Sequence, residues 1–344
     1  MKELSDRQKF ILTLVIHDYV QNTQPIGSQY LVEKYNLEMS PATVRNELAA
    51  LDEAGFLYQP HTSAGRLPTD EGYRYFVGRL LQDTELPITT QRTISHQFYQ
   101  SRQDVEQWMK LAASVLAHQS RGAALVTSPH SEKARIKHLE LIATRGRQVL
   151  LVIVFVGGEI HQQMLNLVEP VTQEQLSASA SRLSQLCQGM DVSTIRKMVM
   201  QLSLLEEDVL KLILQELDNS TSAIAGELYM DGLSNVLSEP EFVQSEDARK
   251  ALRLLEERSL LDSLLTRTVM NTNIGGVQVL IGGEGNWEEL KQCSVILARY
   301  GVPGTVTGTL GVIGPTRMYY GRTISTVRFM AGLLSDLVTD TMVE

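Results

Sequence analysis

The stretch SPATVRNELAALDEAGFLYQPHTSAGRLPTDEGYRYFV, residues 40–77, decides how the chain is read. It opens with the strongest helix start in the sequence. Ser40 is a capping residue type, and Pro41 follows at the first helical position, where a missing N–H costs nothing. Val44, Leu48 and Leu51 then recur at i, i+4, i+7 and mark a buried stripe, with Gly55 as the stop signal. The opposite face carries Ala42, Asn46 and Ala49, flanked by Thr43 and Arg45. Small side chains let a helix approach the floor of a DNA groove. Asn46 suits a bidentate pair with adenine, Ala42, Ala49 or Thr43 a thymine methyl, and Arg45 a guanine or a phosphate. The backbone N–H groups near Ser40 suit a phosphate.

Upstream, Ser5 and Gln8 form a capping-box pattern ahead of Phe10, Ile11, Leu14, Val15, Tyr19 and Val20 at helical spacing. Pro25 blocks continuation, Gly27-Ser28 starts a short second helix, and a tight NLEM connection leads to Ser40. Helix, turn, helix is the order in which the second helix enters the major groove. Downstream comes strand, polar tip, strand. As a wing, this hairpin offers His61, Thr62, Ser63 and Arg66 to phosphates, while Ala64 and Gly65 keep the tip slim. A plainer reading stays open beside this one. Residues 1–80 hold 8 Lys/Arg against 10 Asp/Glu, so there is no basic patch, and three helices with a hairpin also make protein-binding modules.

The whole chain has 344 residues and a net charge of −9, enough for two or three domains and a poor fit to bulk coating of nucleic acid. Much of the acidity falls in 170–262, with 16 Asp/Glu against 8 Lys/Arg. The longest apolar run, VLLVIVFV at 149–156, is strand-sized, so no membrane span is expected. Cys187 and Cys293 lack metal spacing, and the polar N-terminus is no signal peptide, which together point to the cytoplasm. No nucleophile elbow, phosphate loop, zinc pattern or kinase signature occurs, so neither an enzyme nor a cofactor is expected. GGEGNWEEL at 282–290 reads as a structural turn rather than an anion cradle.

Along the rest of the chain, 83–103 reads as a partly helical linker and 104–119 as a helix. Strands are expected at 122–127, 136–144, 148–156 and 159–167, with Gly157-Gly158 turning the last pair. Residues 172–266 are mainly helical. A strand at 277–282, a helix near 287–299, strands around 304–314 and a helix over 321–338 follow.

PIGSQYL at 25–31, the run 40–57 and QPHTSAGRLPTDEGYRYFV at 59–77 together resemble the heat-inducible transcription repressor family HrcA. GTLGVIGPTRMYYGRTISTVRFMAGLLSDLV at 308–338 resembles that family's C-terminal signature. The resemblance implies a multidomain α+β chain. Its parts are a winged helix-turn-helix at 1–82, a GAF-like antiparallel-sheet domain at 104–171 and 272–344, and an inserted, mainly helical dimerisation domain at 172–271. It implies a homodimer that represses chaperone operons at the CIRCE inverted repeat on double-stranded DNA. It also implies that heat inactivates the dimer and that the GroE chaperonin maintains it. An alternative is a regulator answering to a small effector in the GAF-like domain. An inverted repeat requires a two-fold dimer. Leu205, Val209, Leu212 and Ile213 in the insertion are the expected dimer contacts, unless they bury only against their own domain.

Overall fold

The structure is a computed structural model that describes residues 3–62, 64–81, 85–101, 104–131, 134–156, 160–198, 201–220, 227–242, 246–269, 273–285 and 287–342. It is mixed α+β and divides into two compact units, the first 1–126, 229–299 and 310–333, the second 127–228, 300–309 and 334–344.

The N-terminal part of the first unit is α1 (Asp6–Asn22), α2 (Ser28–Tyr35), α3 (Pro41–Glu53), a hairpin of β1 (Leu57–Tyr58) and β2 (Leu67–Pro68), and α4 (Asp70–Tyr75). A π-helical turn, Phe76–Leu80, continues α4. The expected capping box is present at Ser5 and Gln8. Ile11, Leu12, Val15, Ile16, Leu31, Val44 and Leu51 are almost fully buried and form the core of the three helices. The stretch expected as a linker contains a regular helix, α5 (Ile88–Gln100), whose Ile94 and Phe98 are buried. α6 (Val105–Ser120) and β3 (Ala123–Thr127) follow.

The second unit holds β4 (His130–Ser131), β5 (Ile136–Ala143), β6 (Gln148–Phe155), β7 (Ile160–Asn166), α7 (Gln173–Cys187), α8 (Val192–Lys197) and α9 (Leu204–Ser220). β5, β6 and β7 form an antiparallel sheet of their own. The sequence reading grouped these strands with the GAF-like region. Instead they share one core with α7, α8 and α9, built on Leu139, Leu141, Leu151, Ile153, Phe155, Leu176, Leu183, Val209 and Ile213. The Gly157-Gly158 turn lies outside the described residues.

β8 (Leu228–Asp231), α10 (Leu233–Leu237), α11 (Glu246–Glu256) and α12 (Arg258–Val269) come next. The last three helices fall in the first unit, not in the insertion where the sequence reading placed them. β9 (Val277–Ile281), β10 (Cys293–Val302), β11 (Val306–Pro315) and α13 (Tyr320–Met342) complete the chain. The large sheet has the order β8-β3-β11-β10-β9, with β4 also on β11. The helix expected near 287–299 is only a short 3-10 turn, Glu288–Leu290, before β10. All but the last residue of β10 are buried, so it shows no alternation and its apolar run passes for a helix. Both cysteines are buried, and burial pushes the Cys187 thiol up to about 11.

Candidate nucleic-acid interface

α3 is built as its sequence requires. Ser40 Oγ accepts the Thr43 N–H at 3.1 Å, and Pro41 occupies the first turn. Val44, Leu48 and Leu51 are buried. Ala42, Arg45 and Asn46 are exposed on the far side, with Thr43 and Ala49 partly so. The side chains of Arg45 and Asn46 have no polar partner among the described residues. Two of the three carboxylates on α3 are engaged elsewhere: Glu47 faces Arg7 at 3.5 Å and Asp52 faces Arg66 at 2.7 Å. Glu53, at i+7 from Asn46, is exposed at the C-terminal end of this face, and the N-terminal part around Ala42, Arg45 and Asn46 carries no carboxylate.

The hairpin tip has a defined scaffold. Gln59 Nε2 donates to the carbonyls of Thr62 (3.0 Å) and Ala64 (2.8 Å), and Ala64 N–H donates to His61 O at 2.9 Å. His61 and Thr62 are exposed; Ser63 lies outside the described residues. Two tip residues also have roles within the protein's own scaffold. Arg66 N–H and C=O exchange hydrogen bonds of 2.9 Å with Ile26, adding a bridge from the α1–α2 connection to the hairpin. Its side chain is only 18% exposed and is held by Asp52, so Arg66 first of all ties the hairpin to α3. A Cβ on Gly65 would lie 2.4 Å from the Ile26 carbonyl carbon. Glycine is needed there for contact with the protein's own backbone.

A cleft of about 590 Å³ runs between these parts. It is lined by the start of α2 (Gly27 to Tyr30), by Arg45 and Leu48, and by Gln59, Thr62, Ala64, Gly65 and Arg66, with no carboxylate. The N-terminus of α2 has no side-chain cap, so its N–H groups are available to an acceptor. An uncapped helix start, an arginine and a polar hairpin around one acid-free cleft suit a sugar-phosphate backbone.

Sequence reasoning missed Asp18. It is fully buried in α1, bonded to Lys34 of α2 and to the Tyr35 hydroxyl at 3.1 Å. The bond that Lys34 donates to Asp18, then the one it donates to the Tyr30 hydroxyl, holds its ammonium well above the usual range. The signal was available, since Asp18 sits on the apolar stripe of α1 at i+4 from Leu14. Two of the four expected dimer contacts lie in the core. Val209 and Ile213 are 1% and 0% exposed in their own domain's core, and Leu205 and Leu212 pack against it. Val209 and Ile213 bury in the core that α9 shares with α7, α8 and the β5–β6–β7 strands and are not surface contacts, whereas Leu205 and Leu212 stay partly exposed. Among the described residues no group of three His, Cys, Asp or Glu side chains is placed to hold a metal ion.

A family profile described as the HrcA protein C-terminal domain matches residues 106–324. The heat-inducible transcription repressor HrcA of Roseiflexus castenholzii is 44% identical over 346 residues, covering 98% of this chain and 95% of that protein. The chain belongs to the HrcA family. The HrcA of Chloroflexus aurantiacus is 42% identical over 354 residues, covering 98% of this chain and 94% of its own length. These HrcA relatives align with α1–α4 as well as with the region the profile covers. A crystal structure of a protein described only as hypothetical matches with a TM-score of 0.60 at 25% identity, over 98% of both chains. The fold of this HrcA-family chain is thus one that experiment has already met. No helix among its described residues is long and apolar enough to cross a membrane.

Proposed function

We propose that the chain is a dimeric repressor of heat-shock chaperone operons that reads an inverted-repeat operator of the CIRCE type on double-stranded DNA. α1–α3 and the β1–β2 hairpin act as a winged helix-turn-helix. α3 enters the major groove, and the hairpin lies along the adjoining backbone. The observation that carries this reading is the exposed Ala42–Arg45–Asn46 face, free of intramolecular partners and beside the acid-free cleft. The shared description of the relatives as heat-inducible transcription repressors supports it. The region built on the large sheet is read as GAF-like. Activity is kept up by the GroE chaperonin and lost on heating, and the protein acts in the cytoplasm.

The dimer contact is reassigned to the open face of the β5–β6–β7 sheet. There Ile142, Leu150 and Met164 form one cross-strand row, and Val154 and Ile160 another. Ile142, Ile160 and Met164 are 43%, 60% and 51% exposed, an apolar patch of the kind that marks association.

The test is fluorescence anisotropy on a duplex bearing the inverted repeat and on a scrambled duplex, across a salt series and after heating. Operator-selective binding that weakens with salt and is destroyed by heat is expected. Equal weak binding to both duplexes, with or without chaperonin, overturns the reading and favours a small effector or a protein ligand for α1–α3.

A further inference from the structure

We propose that Asp70, Tyr73 and Arg74 are positioning residues. They fasten α4, and through it the DNA-reading helix, to the end of β9 and the start of α13. The proposal rests on the operator-binding reading above. It concerns the TDEGYR part of the signature stretch, residues 69–74, none of which lies on the Ala42–Arg45–Asn46 face or in the cleft.

On one side, α4 is clamped to the end of α3. Thr69 Oγ1 donates to Gly55 O at 2.7 Å and accepts the Gly72 N–H at 3.1 Å, and Thr69 N–H donates to Phe56 O at 3.1 Å. A Cβ on Gly72 would sit 2.2 Å from Phe56 O, and the Tyr75 ring lies 5.0 Å from that of Phe56. On the other side, Arg74 spans 207 positions of sequence to donate to Ile281 O at 2.8 Å. Glu71 and Glu284 hold its guanidinium at 3.3 and 3.8 Å. Asp70 rests on Gly282, which has φ +60, and a Cβ there would fall 2.1 Å from Asp70 Oδ2. The Tyr73 ring lies 5.8 Å from Tyr320, whose hydroxyl is bonded to Ser294 (2.6 Å) and to Thr316 O (2.7 Å). The glycine-rich turn at 282–285 is therefore shaped around a carboxylate of the same chain.

The chemistry of this joint favours orientation over stability. The Tyr73 hydroxyl is buried with no hydrogen-bond partner among the described residues, and burial holds the Asp70 carboxyl above its usual range. An apolar joint of equal size stabilises more; directional polar contacts select one geometry. In a dimer on an inverted repeat, that geometry is one of those on which the distance between two reading helices depends.

The test uses the full-length chain, with Gly282→Ala and Arg74→Gln against Arg74→Lys as the conservative rescue. Thermal melts and circular dichroism confirm that each variant is folded. Binding is measured to a half-site duplex and to inverted repeats whose gap is extended stepwise to about five base pairs, roughly half a helical turn. Wild type should lose at least ~10-fold in affinity across that series. Gly282→Ala and Arg74→Gln should lose much less, with half-site affinity within about 2-fold of wild type. Equal spacing discrimination in wild type and both variants overturns the proposal. Amide exchange on the same proteins, without DNA, separates its failure from failure of the operator reading. Faster exchange in α4 and at 278–283, with α1–α3 unchanged, supports the joint even if wild type binds no repeat. Unchanged exchange in α4 overturns it.

Discussion

Asn46 stands exposed on the outer face of α3, and its amide has the donor and acceptor that a bidentate pair with adenine requires. Asn46→Ala should weaken operator binding by about 10- to 100-fold, leave scrambled duplex unaffected and leave the dimer intact, as a paired anisotropy titration will show. Equal affinity for the operator in mutant and wild type would remove α3 from the groove. Asp70 gives a pH prediction. Burial raises its carboxyl pKa, and the Arg74 charge only partly opposes this. The folded chain therefore binds this proton more tightly than the unfolded chain, whose reference value is 3.8. Its contribution favours folding at low pH and is lost as pH rises from that value through the raised pKa. Asp70→Asn should accordingly gain melting temperature relative to wild type between pH 4 and pH 7, whereas a pH-independent difference would mean that the carboxylate is solvated. At this scale the sequence showed which residue types face outward on α3. It could not show that Gly65 answers to Ile26 or that Arg66 is claimed by Asp52, because those neighbours are distant in sequence.

Among the elements, α3 was the most legible and β10 the least. A serine cap, a proline and a three-residue stripe are local signals, and local energetics decide a helix start. Ser40→Ala should cost the first turn of α3 about 1 kcal/mol, read as roughly 5-fold faster amide exchange at Thr43. Unchanged exchange would mean that Pro41 and packing hold the turn alone. Where a strand is buried on both faces the period of two disappears, which is why residues 293–299 passed for a helix. Pairing is a second limit. The strands at 136–166 were found close to their true bounds, but not the sheet they join, since register depends on partners anywhere in the chain.

At the scale of the whole molecule, the insertion shows the same limit in its leucines. The excess apolar surface of α9 is real, yet its deepest residues are absorbed by the chain's own core. Apolar side chains do stay exposed on the open face of the β5–β6–β7 sheet. Replacing Leu150 and Met164 together by lysine should shift the protein to monomer in sedimentation experiments and abolish the advantage of a full inverted repeat over a half-site, while the chain stays folded. A persisting dimer would exclude that face. The sequence by itself determined the local structure of the N-terminal segment, the face that α3 presents and the family, because these rest on short-range signals and on motifs continuous along the chain. Only the tertiary structure decided which strands share a sheet, which leucines stay exposed, why residues 65 and 282 must be glycine, and that Arg74 reaches Ile281. Each of these is set by groups that meet in space after long separation in sequence, and no local propensity encodes such a meeting.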